Sequence, residues 1–269
     1  MSYDFSSISA DTIERPPRII INGLAKIGKS TFASSAPNPI VIAIQGEDGI
    51  DAINVATWRD DKKRPIPCRS ITELFQRIEQ LSTAEHSYRT VVIDSATTLD
   101  RLVLQEALIR EGVKEPINLG GGYGHQSDTI CKIWMEISEC FEWLRNERDM
   151  TVIMTGHVVV KTSKNPLVDK YDAYSMDINT KAGEMLFQVF DCLLFANKKV
   201  NTSEEDAGFN RKRRIAIDNT RKDRKIYTQA HPSYPAGGRG VYGMLPNEID
   251  LCWESFQAAV DEAKALMSA

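Results

Sequence analysis

Short apolar or β-branched runs alternate along this chain with longer stretches whose apolar residues recur every three to four positions. The short runs, at 18–22, 40–44, 90–93, 151–155, 191–196 and 214–218, have the length and residue types of buried strands. The longer ones, at 29–35, 71–81, 96–111, 129–147, 180–190 and 254–267, have helical spacing. Strands separated by helices predict an α/β fold with a mainly parallel sheet, helices on both faces and ligands at the carboxyl ends of the strands. On the longest helix Trp134, Met135, Ile137, Phe141 and Leu144 are assigned to the core. Residues 1–17 are rich in Ser and Asp, carry a Pro-Pro pair and have no period, so a mobile tail is expected before a single domain at 18–269. The polar stretch 201–210 reads as a hairpin connection leading into the basic run Arg211–Arg214.

Composition narrows the classes. A chain of 269 residues with 42% hydrophobic content can bury one large core. Its formal charge of −4 excludes a global basic field, so any contact with nucleic acid has to come from local patches. No apolar run approaches the roughly 18 residues of a membrane span, and the polar start has no signal-peptide pattern, so a cytoplasmic protein without membrane contact is expected. Five cysteines, scattered and without a C-x-x-C pair, read as reduced packing residues. His86, His125 and His231 have no metal-ligand spacing with any of them, so no zinc is expected.

The candidate chemistry begins where the first strand ends. Gly23-Leu24-Ala25-Lys26-Ile27-Gly28-Lys29-Ser30 is the G-x-x-x-x-G-K-S pattern of a phosphate-binding P-loop, continued by Thr31. Its glycines let backbone N–H groups turn inward around an anion, Lys29 reaches the β- and γ-phosphates, and Ser30 offers a hydroxyl to Mg²⁺. About 60 residues on, the strand Thr90-Val-Val-Ile-Asp94 ends in a carboxylate suited to holding Mg²⁺ through water. Ser95 occupies the next position, where many P-loop ATPases carry the water-activating Glu. A base is therefore expected in Gly46-Glu47-Asp48-Gly49, after the strand at 40–44, and Glu47 is the candidate. The strand at 151–155 leads into Gly156-His157, and His157 is a candidate reporter of the γ-phosphate, neutral or charged.

Together, the P-loop, the Glu beyond the next strand, the Val-Val-Ile-Asp-Ser strand and the polar residue beyond the strand after it resemble the RecA-like class of P-loop ATPases. More closely, the chain is similar to phage-encoded nucleotide-binding proteins with a compact RecA core, associated with DNA recombination and single-strand annealing. The matching segments are 46–49, 122–124, 155–158, 191–197 and 237–246. The resemblance implies ATP and Mg²⁺ as cofactors and a homo-oligomer. It also implies a place for Arg239, in the Gly-Gly-Arg segment, as a charge stabiliser near the nucleotide, its own or that of a neighbouring subunit. RecA commonly carries Gln where this chain has His157, a departure that bears on how hydrolysis couples to DNA. The short leading segment puts assembly into long filaments in doubt.

Two loops follow these strands and helices, at 112–127 and 161–174. The second brings Lys161, Lys164, Lys170, Tyr171 and Tyr174, a combination of cations and stacking faces that grips single strands without reading sequence; RecA-like proteins bind DNA through the corresponding loops. The expected function is a Mg²⁺-dependent ATPase of phage recombination or replication, with single-stranded DNA and a phage single-strand-binding or annealing protein as partners. Two other readings remain: a nucleotide-gated accessory module with negligible hydrolysis, and a small-molecule phosphotransferase.

Overall fold

The computed structural model describes residues 8, 10, 13–122, 124–163, 167–199, 202–206, 212–216 and 223–267. In chain order its elements are β1 (Arg18–Gly23), α1 (Lys29–Ser34), β2 (Pro39–Ala43), α2 (Ile71–Thr83), β3 (Thr90–Asp94), α3 (Ala96–Glu111), α4 (Gln126–Arg148), β4 (Thr151–Ser163), β5 (Tyr171–Met176), α5 (Thr180–Val189) and β6 (Cys192–Lys198). A polar ribbon of β7 (Thr202–Asp206) and β8 (Lys212–Ala216) follows, then β9 (Arg224–Tyr227), β10 (Gly237–Gly238), β11 (Glu248–Asp250) and α6 (Trp253–Met267).

The main sheet runs β11-β9-β6-β1-β4-β3-β2. Strands β6, β1, β4, β3 and β2 are parallel, while β9, β10 and β11 pair antiparallel at one edge. The fold is thus α/β, with a mixed, mostly parallel sheet. Alternation along each strand splits the core between its faces. Ile20, Ile42, Val91, Ile93, Val152 and Met154 pack under α2, α3, α4 and α5. Ile19, Ile21, Val41, Val92, Ile153 and Leu194 pack against α1 and α6, because successive side chains leave a strand on opposite sides. On the second face Phe32 of α1 meets Trp253 and Phe256 of α6 at ring centroids of 5.4 and 5.8 Å. Ser70 and Ser95 accept hydrogen bonds from the third helical N–H of α2 and α3 and so fix where those helices start.

Three expectations change. Met135 is half exposed, although Trp134, Ile137, Phe141 and Leu144 are fully buried; α4 is buried along one stripe and Met135 falls beside it. Within the expected tail, residues 14–17 are held: Arg145 Nε donates to the Pro16 carbonyl at 2.7 Å, Arg15 pairs with Glu142, and Lys264 with Glu14. Most of residues 1–12 lie outside the described residues. The loop at 161–174 is largely hairpin, since β4 continues to Ser163 and β5 pairs with it antiparallel.

Candidate functional site

The P-loop sits where β1 gives way to α1, and two glycines show why its sequence takes this form. A Cβ on Gly23 would meet the Ala196 carbonyl oxygen of β6 at 2.2 Å, so only glycine lets the strands pair so closely here. Gly28 has φ +119°, a conformation that other residues rarely adopt. Residues 24–28 are irregular, and regular helix begins only at Lys29. The Lys29 ammonium, almost wholly buried, donates to the carbonyls of Gly23 (3.0 Å) and Leu24 (2.8 Å). Burial pushes its pKa down to about 8, against the opposing pull of Asp94 and Glu47.

Sheet register assembles the rest. Ile93 pairs with Met154, which brings the next residues, Asp94 and Thr155, side by side, and Thr155 Oγ1 donates to Asp94 Oδ1 at 2.5 Å. Asp94 Oδ2 is buried with no hydrogen-bond partner among the described residues. Desolvation raises the Asp94 carboxyl above its ordinary range, while the Thr155 and Ser30 hydroxyls work against that rise. A Cβ on Gly49 would lie 3.3 Å from Ser30 Oγ and 3.8 Å from Asp94 Oδ2. The Gly46–Gly49 turn thus brings its backbone close against the hydroxyl and the unpartnered carboxylate oxygen. Hard oxygen donors, one of them unsatisfied, fit a hydrated Mg²⁺ in kind; Ser30 and Asp94 are the residues that would hold it.

Glu47 reaches across from the far side of β3. Ser95 Oγ donates to Glu47 Oε1 at 2.6 Å, and His157 Nε2 lies 3.2 Å from the same oxygen, a hydrogen bond in the tautomer protonated at Nε2. Burial raises the Glu47 carboxyl, but the His157 and Ser95 hydrogen bonds, with the charges of His157 and Lys29, outweigh it and hold the group below the usual glutamate range. His157 pairs in register with Gly23, and its backbone N–H is anchored on Thr97 Oγ1 at 3.0 Å. Lys29, Ser30, Glu47, Asp94 and His157 therefore converge. Thr155 and Ser95 belong to the same cluster and were not assigned roles from sequence, although each ends or follows a strand already singled out.

Arg239 is not brought to this site within one chain. Its guanidinium donates to the carbonyls of Gln188, Val189 (3.1 Å) and Phe190 (2.9 Å) and lies 3.6 Å from Asp191. Asp191 precedes β6 at the amino end of the sheet, opposite the P-loop, so the positioning near this chain's own nucleotide is corrected. The basic-aromatic set on the hairpin is also divided. Lys161 and Lys170 are exposed, but Tyr171 opposes Ser163 on the Lys161 side, whereas Tyr174 opposes Val160 on the other face and packs on Phe195 at 5.2 Å. Lys164 and Arg211 lie outside the described residues. In the loop at 112–127, Glu111 accepts from the Gly120 N–H and from Thr129 Oγ1, both at 2.7 Å, and Leu119 is buried. Among the described residues no helix is long and apolar enough to cross a membrane.

A P-loop at the carboxyl end of a parallel strand, with a hydroxyl and a strand-end carboxylate beside it, defines a P-loop NTPase fold. Residues 15–240 match the family model described as an AAA domain, and the chain belongs to that family. No curated protein matches the chain.

Proposed function

We propose that this protein is a Mg²⁺-dependent ATPase of RecA-like type that works on DNA in phage recombination or replication. One observation carries the hydrolytic part: the Glu47 carboxylate, held deprotonated by Ser95 and His157, lies in one cluster with the Lys29 ammonium and the Ser30–Asp94 pair. Lys29 and the loop amides hold the β- and γ-phosphates. The metal ion, when bound, neutralises charge on the phosphate oxygens. Glu47 orients water and accepts its proton as the oxygen bonds to the γ-phosphorus and the bond to ADP breaks, releasing inorganic phosphate.

His157 supplies the link to the rest of the molecule. It lies at the root of the β4–β5 hairpin, so a γ-phosphate competing for its Nε2–H both frees Glu47 and alters the strand that carries Lys161. That hairpin and the loop at 112–127 are the proposed single-strand contacts, with Lys161, Lys164, Lys170 and Tyr171 as the gripping residues. Assembly as a homo-oligomer would give Arg239 the nucleotide of a neighbouring subunit to face.

A second reading has one observation in its favour. Two hydrogen bonds on Glu47 weaken it as a base, as expected of a nucleotide-gated accessory module that hydrolyses ATP negligibly and serves an annealing partner. Measuring ATP turnover with and without Mg²⁺ and single-stranded DNA, across a salt series, separates the two. Mg²⁺-dependent turnover raised by DNA, with the DNA effect fading steeply as salt rises, supports the ATPase. Tight ATP binding without turnover under any of these conditions supports the module.

A further inference from the structure

The cations expected at the nucleotide from sequence are Lys29 and Arg239, yet in the fold another residue brings a guanidinium against the P-loop. Strand β9 runs antiparallel to β6, pairing Arg224 with Lys198. Two residues earlier on β6, Ala196 is the partner of Gly23 at the end of β1. The start of β9 thus lies beside the point where β1 turns into the P-loop. There Arg224 Nη1 lies 3.3 Å from the position a Cβ on Gly28 would take, and Leu251 Cδ2 lies 3.5 Å from the same point. The Arg224 carbonyl accepts from the Leu251 N–H at 3.1 Å, which fixes the backbone behind the side chain.

Among the described residues no carboxylate pairs with this guanidinium. Its Nε is buried without a hydrogen-bond partner among the described residues. Two other cations are answered: Lys225 next door pairs with Asp250, and Arg18 with Asp191 and Glu142. A buried N–H donor left unpaired is costly. A guanidinium at a P-loop glycine is placed to recover that cost from a phosphate, which it binds in a planar fork.

Direction decides which phosphate. Glu47, Asp94 and His157 come from the β2, β3 and β4 side of β1, where the metal and attacking water belong, whereas Arg224 comes from the opposite side, beyond β6. Resting on the nucleotide reading of the P-loop, we propose that Arg224 is a nucleotide-binding residue in cis. It grips the α- and β-phosphates of a nucleoside di- or triphosphate and leaves the chemistry at the γ-phosphate to Lys29 and Glu47.

Equilibrium binding of Mg·ATP and Mg·ADP to the full chain, with steady-state turnover, tests this. Arg224→Ala is expected to weaken ATP and ADP alike, by about 10- to 100-fold for a lost charge-assisted contact, and to raise KM while kcat stays within about threefold. Arg224→Lys, with charge but no fork, is expected to fall between. Melting without nucleotide reports folding, and Arg224→Gln replaces the alanine variant if that one does not fold. Wild-type affinity for both nucleotides in folded variants overturns the proposal, as does loss of ATP affinity with ADP untouched or a fall in kcat at constant KM. Failure of the unaltered protein to bind any nucleotide is a separate result, which removes the P-loop reading itself.

Discussion

The two ends of the parallel sheet are built on opposite principles. At the amino end, Asp191 is a buried hub in which both oxygens are engaged. Oδ2 accepts from the Arg18 backbone at 2.9 Å and faces Arg18 Nε and Arg145 Nη2 at 3.4 and 3.3 Å, while Oδ1 faces Arg18 Nη2 and Arg239 Nε at 3.4 and 3.6 Å. At the carboxyl end, buried side-chain atoms of Asn22, Asp94 and Arg224 have no partner among the described residues, and Lys29 is spent on backbone carbonyls. Charged groups are buried at both ends, but those around Asp191 answer one another within the chain, whereas Asp94 Oδ2 and Arg224 Nε are left open among the described residues. Open charged groups at a strand end suit a ligand, whereas the closed set around Asp191 ties β1, β6 and α4 together.

The comparison predicts that variants at the two ends separate activity from stability. Lys29→Ala should reduce ATP turnover to background, with circular dichroism and melting close to those of the unaltered protein; full turnover in this variant would end the nucleotide reading. Asp191→Ala should do the reverse, since it leaves the buried Arg18 and Arg145 to share Glu142 alone as carboxylate partner. Denaturant unfolding is expected to lose about 3–5 kcal/mol, while kcat per folded molecule holds within about twofold. A stability close to wild type would mean that the arginines find other partners and that the hub is not structural. Glu47→Gln should bind ATP normally and turn it over at least about a hundredfold more slowly; unchanged turnover would remove Glu47 as the base.

The smallest effect is in pH. The folded Lys29 titrates near 8 against an ordinary 10.5, so between these values the unfolded chain binds more protons than the folded one, and stability rises with pH. The penalty for burying the ammonium is therefore complete below about pH 8 and gone above about 10.5. Melting curves of the wild type should gain on those of Lys29→Met through that window. Parallel curves for the two proteins would show that burial does not bear on Lys29.

Much of this was legible beforehand because it is local. The P-loop is a contiguous pattern whose glycines meet local backbone demands, and the alternation of β1 to β4 and β6 with α1 to α6 follows from periodicity alone. Elements at the margins were not legible. β9 and β11 are short, polar strands at one side of the sheet, and β5 is half-exposed, so none carries a clean apolar run. The cluster's members were found one by one, but their bonds were not. Ser95 was noted as a departure from the usual Glu, yet that same hydroxyl restrains a glutamate 48 positions away. For Arg239 the motif allowed its own nucleotide or a neighbouring subunit's, and the fold, by seating it on the carbonyl end of α5, removes the first.

The amino-acid order alone determined that an anion-binding turn would follow a buried strand, and that acids would stand at the ends of the next two. Which of these groups touch was decided by tertiary pairing. The contacts of His157 with Glu47 and of Arg224 with the P-loop join residues 110 and 196 positions apart. They exist because strands buried on both faces can pair in one register only, and local periodicity carries no record of that register.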